Sequence, residues 1–557
     1  MNPHTVALYF HTVRHLRPEQ IYYRLWYGLP LSRVAVPRTG TAGLRPGVTL
    51  TPPIGRRMPP GGPNEFTFLN RGQHFSDGKV DWRSPDKDKL WRYNLHYFDY
   101  VLDQDRPRAS IDALIDDWIA RNPPCTPDAW EPFPVSLRIV NWIKLLLRPE
   151  YRERPNAAWL NSLHQQALWL ERNLEKHLLA NHFFKNGKAL LFAGLFFDGA
   201  DADRWLRKGT RIVGGEIGEQ ILPDGGHFER SPMYHAMILE DCLDVLNICA
   251  SRSEQELVGL RDRLRVVTQW MARYLLGMSH PDGEISLFND AAFGIERTPA
   301  EIADYFQRVH GFPASPPVGR CWSFPETGYH VMAPQPGNRL IVDCGPVGPD
   351  YQPGHSHCDT LSFELSLGGK RVVVDSGCCE YTDGEIRRYN RGNAGHNTLT
   401  VDGENQSEVW GAHRCARRAY PLYARLEEQA DGTLVFSGAH DGYRRLSGSP
   451  IHHRKVTWKE DSILVEDRVE GGGRHAVEIR LHIHPGVQVD GDGRHTVVRD
   501  RDRQVMEITL PGEGRIEVQK GWYCPGFGVR LECPVLSATF RDVPLPFRTG
   551  WSIRTAS

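Results

Sequence analysis

The sequence predicts an α+β protein of two domains, an all-helical N-terminal half followed by an antiparallel β-sandwich. In the first half, apolar residues recur at every third or fourth position, which is the period of amphipathic helices. This period is found in residues 160–178, 239–249 and 260–275. After about residue 315 apolar and polar residues alternate, as they do in strands with one buried face. Because the proline-rich stretch 312–317 separates the two patterns, we predict domains at 1–315 and 316–557.

The individual elements follow from these periods and from the turn residues between them. The leucine-rich helix that includes residue 160 is expected to extend to about residue 178, and another helix is expected to start near Met237. Alternation over 361–367 resumes at Val372 after Gly368-Gly369, which predicts a β-hairpin with a tight turn. Short strands separated by Gly, Asp and Asn continue to the end of the chain, and such strands are typical of a sandwich.

The composition argues against several classes of protein. Among 557 residues, 67 are Lys or Arg and 68 are Asp or Glu, so the net charge of -1 provides no general attraction to nucleic acid or anionic membranes. No run approaches the roughly 18 apolar residues of a membrane span. The apolar run at 6–10 is shorter than the roughly 7–15 residues of a signal peptide. We therefore expect a cytoplasmic protein, or a periplasmic or secreted one if the N-terminus has been trimmed.

Cysteine usage indicates free thiols. The 11 cysteines are odd in number and include no CxxC pair. The adjacent residues Cys378 and Cys379 are poorly placed for a disulfide. This pattern favours a reducing compartment.

A cluster of histidines just before the predicted hairpin is a candidate metal site. His355 and His357 form an HxH pattern, which on an extended segment directs both imidazoles to one face. Asp375 lies 18 residues after His357, and His396 a further 21 residues on. Two histidines and an aspartate brought together by adjacent strands could hold Zn²⁺, but they could equally be loop-end residues paired with one another. A second HxH at 482–484 has no acidic partner nearby, so we interpret it as part of a solvated strand face.

Two further segments carry candidate binding or catalytic side chains. Tyr234 follows a glycine-rich, ionisable stretch before a helix, where a tyrosine can act as acid or base or can simply be buried and hydrogen-bonded. Asn181 and His182, expected at the end of the leucine-rich helix, offer donors to a substrate carboxylate or a helix C-cap. Arg138 lies close to Trp130 in the sequence, where an arginine could bind the carboxylate of a sugar acid or could pack in the core. The sequence contains no GxSxG, P-loop or HExxH motif.

Taken together, these segments resemble the heparinase II/III-like superfamily of polysaccharide lyases over nearly the whole chain. The motifs that carry the resemblance are YFHTVR at 9–14, NLHYFDY at 94–100, WEPFPVSLR at 130–138, LPDGGHFE at 222–229, HPDGE at 280–284, LFND at 287–290, GWY at 521–523 and FG at 527–528. The resemblance implies an N-terminal α/α toroid, an incomplete barrel, and a C-terminal antiparallel β-sandwich with a cleft between them. It further implies β-elimination at a uronic acid within an acidic polysaccharide.

The resemblance also assigns roles to individual residues. Asn181 matches the residue that neutralises the uronate carboxylate, Tyr234 and His355 match the catalytic tyrosine and histidine, and His182 matches a neighbouring histidine on the carboxylate side. A structural zinc site is implied with the ligands His357, Asp375 and His396, with His413 as a substitute for His396. Candidate subsite residues are Arg138, Glu229 and Arg388.

The elimination chemistry leaves two arrangements open. Tyr234 could remove the C5 proton and protonate the leaving O4 oxygen on one face of the sugar, or His355 could take the proton from the opposite face. Two other functions compete with a lyase. One is a toroid-fold glycoside hydrolase using carboxylates among Glu131, Glu229 and Asp290. The other is a non-catalytic glycan-binding or assembly protein of exopolysaccharide production. The sequence does not identify the polymer, which could be heparosan or heparan, hyaluronan, chondroitin, alginate or an exopolysaccharide. It also leaves open whether the protein forms a homodimer.

Overall fold

The N-terminal half of the molecule is a layered array of helices. The computed structural model describes residues 3–29, 43–55, 62, 64–75, 79–153, 155–252 and 254–556. The helices of this half are α1 (Pro3–Val13), α2 (Pro18–Tyr27), α3 (Lys89–Tyr97), α4 (Arg108–Arg121), α5 (Pro132–Leu146), α6 (Pro149–Arg152), α7 (Ala157–Arg172), α8 (Ala180–Phe196), α9 (Ala200–Gln220), α10 (Pro232–Ala250), α11 (Gln255–Met278) and α12 (Pro299–His310). One short helix, α13 (Glu385–Arg391), lies in the C-terminal half. Helices α5, α8 and α10 are buried along most of their length and form the inner layer of an α/α toroid.

Close packing between α8 and α9 depends on glycine. A Cβ at Gly194 would lie 2.4 Å from the Leu206 backbone nitrogen, and a Cβ at Gly209 would lie 2.4 Å from that of Leu191. Since real Cβ atoms do not approach backbone atoms so closely, the two helices can touch only with glycine at these positions. This contact fixes α8, which carries two of the candidate catalytic residues.

The predicted helix over 160–178 is interrupted in the structure. Helix α7 ends at Arg172, and α8 begins only at Ala180, after Leu179 with φ 63°. The apolar spacing continues through the break because Leu174 still packs into the core, so periodicity alone could not reveal it. Asn181 and His182 therefore lie in the first turn of a helix, and the prediction that they end one is wrong.

The C-terminal half consists of antiparallel sheets, as predicted. Its strands are β3 (Cys321–Phe324), β4 (Tyr329–Met332), β5 (Arg339–Asp343), β6 (Phe363–Leu367), β7 (Lys370–Val373), β8 (Leu399–Val401), β9 (Val409–Trp410), β10 (Arg414–Cys415), β11 (Pro421–Glu428), β12 (Leu434–His440), β13 (Ile451–Lys459), β14 (Ser462–Glu470), β15 (Arg474–His482), β16 (Gln488–Gly491), β17 (His495–Asp500), β18 (Arg503–Thr509), β19 (Arg515–Tyr523), β20 (Leu531–Pro544) and β21 (Phe547–Thr555). A five-stranded sheet β3-β4-β5-β6-β7, an eight-stranded sheet β11-β12-β13-β14-β21-β18-β17-β16 and a four-stranded sheet β19-β20-β15-β8 enclose the second core. A further short hairpin, β1 (Glu65–Phe68) with β2 (Arg71–His74), lies in the N-terminal half.

The predicted hairpin is confirmed, but the polar side chains of β6 are not exposed. Strands β6 and β7 pair across Gly368-Gly369, and every residue of β6 is buried. The carboxylate of Glu364 lies 2.9 Å from His280 Nε2 and 3.4 Å from Arg371, which satisfies its charge in the interior. The hairpin therefore contacts the helical half directly.

The second HxH was assigned to a solvated face, and this assignment is wrong. His482 is fully buried and its Nε2 lies 2.9 Å from the Tyr389 hydroxyl. The apolar face of β15 is buried as the alternation predicts, but the opposite face of the strand is covered at His482. All 11 cysteines are free thiols. Among the described residues, no helix has both the length and the apolar character needed to cross a bilayer.

Candidate active site

A cleft of about 890 Å³ between the two halves collects the four candidate catalytic residues. Asn181, His182 and Tyr234 line it from the helical side, and His355 lines it from the sheet side. Residues that are far apart in the chain thus share one cavity, which is the arrangement expected of an active site.

Tyr234 is held in the first turn of α10. The prediction placed it in a loop before a helix near Met237, but the helix begins at Pro232, with Ser231 as the N-cap whose hydroxyl accepts a hydrogen bond from the Tyr234 backbone N–H. The Tyr234 hydroxyl lies 2.9 Å from that of Tyr381, and its ring centroid is 3.9 Å from that of His355. Burial raises the pKa of Tyr234 well above its ordinary value, so the phenol is protonated at neutral pH.

His355 is oriented by a buried carboxylate. Its Nδ1 lies 2.9 Å from Asp290 Oδ2, and its Nε2 lies 3.5 Å from Glu229 Oε2. Burial by itself would raise the pKa of Asp290, but Arg387 and hydrogen bonds from His355 and His357 hold it well below its ordinary value. An ionised carboxylate only accepts hydrogen bonds, so His355 donates from Nδ1 and directs Nε2 away from Asp290.

Asn181 and His182 present donors from the start of α8. Asn181 Nδ2 donates one hydrogen bond to Glu229 Oε1 at 3.0 Å, and its second amide hydrogen remains for a ligand. His182 Nδ1 lies 3.0 Å from Glu175 Oε1. Burial lowers the pKa of His182, but the attraction of the Glu175 carboxylate outweighs this and raises it overall. The pair therefore offers a neutral donor and a partly cationic one to an anionic group.

The three predicted subsite residues do not line the cleft. Glu229 is buried behind Asn181 and His355, where it positions both instead of contacting substrate. Arg138 is fully buried, because it donates to Gln166 and to two backbone carbonyls of the toroid core. Arg388 is exposed outside the cleft and pairs with Asp383. All three side chains thus make contacts within the protein.

Several residues at the site were not predicted in these roles. Tyr381 contacts Tyr234 and lines the cleft, although the stretch 378–381 was considered only for its adjacent cysteines. Arg387 pairs with both oxygens of Asp290, one of them at 2.8 Å. His413, the substitute metal ligand, lies beside His355 and away from the His357 cluster, with its ring centroid 6.2 Å from that of His355. The sequence analysis named Asp290 within the LFND motif and as a hydrolase carboxylate, but not as the residue that orients His355.

A cluster of candidate metal ligands lies immediately behind His355. Ligand atoms of His357, Asp359 and His396 lie within 4.8 Å of one another, and all three residues are buried. His357 Nδ1 and His396 Nε2 have no hydrogen-bond partner. Burial lowers the pKa of His357 to about 4, so its imidazole is neutral. Asp375 differs from the prediction, since its Oδ2 lies 2.7 Å from His396 Nδ1 and Asp359 takes its place in the cluster.

Comparisons with known proteins agree with this architecture. Residues 63–316 match the family model "Heparinase II/III N-terminus", and residues 316–549 match "Heparinase II/III-like, C-terminal". A heparin-sulfate lyase of Bacteroides thetaiotaomicron is 24% identical over 503 residues, which cover 77% of this chain and 67% of that protein. The FtsZ-localized protein C of Caulobacter vibrioides is 23% identical over 474 residues, covering 79% and 75%. The crystal structure of a heparinase III superposes with a TM-score of 0.67 at 18% identity, over 87% of this chain and 80% of that one.

Proposed function

The chain belongs to the heparinase II/III-like family, and on this premise we propose that it is a polysaccharide lyase that cleaves a uronate-containing glycosaminoglycan by β-elimination. The observation that carries this proposal is the convergence of Asn181, His182, Tyr234 and His355 on one cleft. The products would carry 4,5-unsaturated uronate ends.

The donors on α8 suit the carboxylate of the reacting uronate. Removal of the C5 proton builds negative charge on that carboxylate, and donors fixed in a partly dry site stabilise it. Asn181 has one amide hydrogen free for this purpose, and His182 adds positive charge because of Glu175. Both side chains are held in place by buried glutamates.

The acid and the base act on the same face of the sugar in this proposal. The rings of Tyr234 and His355 are in contact at 3.9 Å, so no sugar ring fits between them. The protonated Tyr234 phenol can donate to O4, and the adjacent His355 Nε2 can accept the C5 proton. In glucuronate the C5 hydrogen and O4 lie on one face, whereas in iduronate they lie on opposite faces. The geometry therefore favours glucuronate-type substrates.

The three carboxylates considered for a hydrolase do not form the pair that such an enzyme needs. Asp290 is buried and bonded to two histidines and Arg387. Glu229 is buried as well, and Glu131 is bonded to the Tyr93 hydroxyl and Lys89. A glycosidase needs one carboxylic acid at the leaving oxygen and a second carboxylate across the sugar. A merely glycan-binding role would not require the ordered tyrosine–histidine pair.

We also infer that the protein holds a structural zinc ion. His357 Nδ1, His396 Nε2 and a carboxylate oxygen of Asp359 are the donors that fit, because two buried imidazole nitrogens would otherwise lack a partner. Asp375 would orient His396, as carboxylates commonly do for ligating histidines. A bound zinc would supply fixed positive charge that braces the segment carrying His355.

A panel of purified polymers tests the lyase proposal. The full chain is incubated with heparosan, hyaluronan, chondroitin, alginate and iduronate-rich heparin, and unsaturated uronate is followed by its ultraviolet absorbance. We expect product from one or more glucuronate polymers and little from heparin. Release of reducing ends without the absorbance would indicate hydrolysis, and no product from any polymer would contradict the proposal.

A further inference from the structure

Helices α1 and α2 lie outside the residues that the two family models match, although YFHTVR at 9–14 contributes to the resemblance, and they form part of the cleft wall. The family models begin at residue 63, whereas Tyr9, Thr12 and Arg24 line the cleft. These helices are tied to both halves of the molecule. Trp410 Nε1 donates to Thr12 Oγ1 at 3.1 Å on the sheet side, and Lys176 Nζ donates to the Tyr23 hydroxyl at 2.9 Å on the helical side.

The contact between α1 and the sheet side places an arginine in the wall of the cleft. Arg414, on β10, has its guanidinium carbon 4.6 Å from the ring centroid of Trp410 and 5.8 Å from that of Tyr9. The two aromatic rings meet edge to face at 4.8 Å. Stacking of this kind fixes the plane of the guanidinium and leaves its N–H edges available for a planar anion.

Arg414 differs from most other cations of the cleft in having no carboxylate partner. Among the described residues, the cleft cations with an acidic partner are Arg71 with Asp88, Lys89 with Glu131, Lys185 with Asp241 and Arg418 with Asp350. No ion pair or side-chain hydrogen bond to a carboxylate involves Arg414 or Arg24 within this same set. Within the part of the chain that the structure describes, neither guanidinium therefore has a carboxylate in contact to neutralise it.

Resting on the proposed lyase function, we propose that Arg414, held by Tyr9 and Trp410, binds the acidic group of a sugar residue adjacent to the uronate that is cleaved. The position fits, because the preceding residue, His413, has its ring 6.2 Å from that of His355 and 5.2 Å from that of Tyr381. The ligand is a carboxylate or a sulfate, both of which pair with two guanidinium N–H groups. Helix α1 thus supplies part of a substrate subsite from outside the family-matched region.

Steady-state kinetics on defined oligosaccharides test this subsite. Arg414→Gln is compared with Arg425→Gln, since Arg425 is an exposed arginine on β11 that does not line the cleft. With a heparosan tetrasaccharide, we expect Arg414→Gln to raise KM about tenfold, the usual effect of losing a charge-assisted hydrogen bond, with kcat within about twofold. Arg425→Gln should leave both constants unchanged. An N-sulfated tetrasaccharide shows whether sulfate is the group bound, because KM would then rise more for that substrate.

The role of α1 is tested by a double-mutant cycle. Tyr9→Leu should raise KM about threefold, and it should have no further effect in the Arg414→Gln background, because the tyrosine acts only through the arginine. Arg414→Lys should recover part of the affinity. Equal KM values for Arg414→Gln and Arg425→Gln, with unchanged thermal unfolding, would overturn the subsite.

A binding experiment separates this inference from the lyase proposal. Calorimetric titration of the same tetrasaccharides into the wild type and Arg414→Gln requires no turnover. Weaker binding to Arg414→Gln in a protein that forms no unsaturated product would keep the subsite and remove the lyase assignment. If the wild type cleaves the tetrasaccharide and the two proteins bind it with identical affinity, the lyase assignment stands and the subsite is overturned. Absence of both cleavage and binding would overturn the two proposals together.

Discussion

The ring centroid of Tyr234 lies 3.9 Å from that of His355, although 121 residues separate them in the chain and they belong to different halves of the molecule. Tyr234 is fixed by the first turn of α10, and His355 is fixed by the Asp290 carboxylate. The contact therefore depends on the relative placement of toroid and sandwich. It places a proton donor and a proton acceptor side by side in the wall of the cleft.

The first prediction concerns the phenol itself. Tyr234→Phe removes the proton donor without changing the ring that packs on His355, so kcat should fall by about 10²–10⁴-fold with little change in stability. The rate of unsaturated uronate formation is the measurement. Tyr381→Phe is the matched control, because it removes only the hydroxyl that contacts Tyr234, and we expect a loss of less than about tenfold. Full activity of Tyr234→Phe would show that the tyrosine assignment is wrong.

The second prediction concerns the carboxylate-binding donor. Asn181→Ala removes the amide that is held by Glu229, and kcat/KM should fall by about 10²-fold because charge on the uronate is no longer stabilised. Asn94→Ala serves as control, since Asn94 also lines the cleft but donates only to the Leu90 carbonyl of its own helix. An equal loss in both variants would indicate general damage to the cleft and would contradict the specific role of Asn181.

Local motifs made the residues that reach the cleft into candidates, and the family resemblance assigned their roles, but neither identified the contacts that hold them there. Tyr234 and His355 stand in short runs of glycine, histidine and acidic residues, and such runs can be recognised without knowing the fold. Asp290 and Tyr381 act through contacts that span 65 and 147 residues, and no periodicity or spacing encodes a pairing of that length.

The errors have a similar physical origin. Arg138 lies next to aromatic residues whether it faces a sugar or the core, and only the packed structure shows that its donors are taken by Gln166 and backbone carbonyls. The helix break before Ala180 was missed because Leu174 keeps the helical spacing while serving the core from a loop. The change of period that predicts the two halves could be recognised from the sequence, since it results from secondary structure alone and does not depend on tertiary packing.

The third prediction is a pH dependence set by Glu296. This half-buried residue lines the cleft, and burial together with repulsion from Glu240 raises its pKa to about 7 from an ordinary value near 4.5. As pH rises through about 7, Glu296 loses its proton and places a negative charge in a cleft that binds a polyanion. KM should therefore rise between pH 6 and pH 8, and it should be about fivefold lower in Glu296→Gln at pH 8, which corresponds to ~1 kcal/mol of charge repulsion.

Ionisation of Glu296 should also lower the folding stability as pH rises. An acid whose pKa is raised by folding stabilises the folded state below its unfolded pKa, and this contribution is lost as pH rises from about 4.5 through about 7. Glu296→Gln should thus be more stable than the wild type at pH 8 and equally stable at pH 4. KM profiles of the two proteins that run parallel from pH 6 to pH 8 would exclude this role of Glu296.

The fourth prediction distinguishes the ligands of the inferred zinc ion from the residue that orients one of them. After incubation with zinc and dialysis, the wild type should retain about one metal ion per chain by elemental analysis. Asp359→Asn and His396→Ala should lose it, because each removes a donor atom of the buried cluster. Asp375→Asn should retain zinc with about 10–100-fold weaker affinity, since Asp375 contacts His396 Nδ1 and not the cluster.

Chelation should lower the unfolding temperature of the wild type and leave that of His396→Ala unchanged. If Asp375→Asn loses the metal while Asp359→Asn keeps it, the ligand set expected from the sequence is correct, and if the wild type retains none, there is no zinc site.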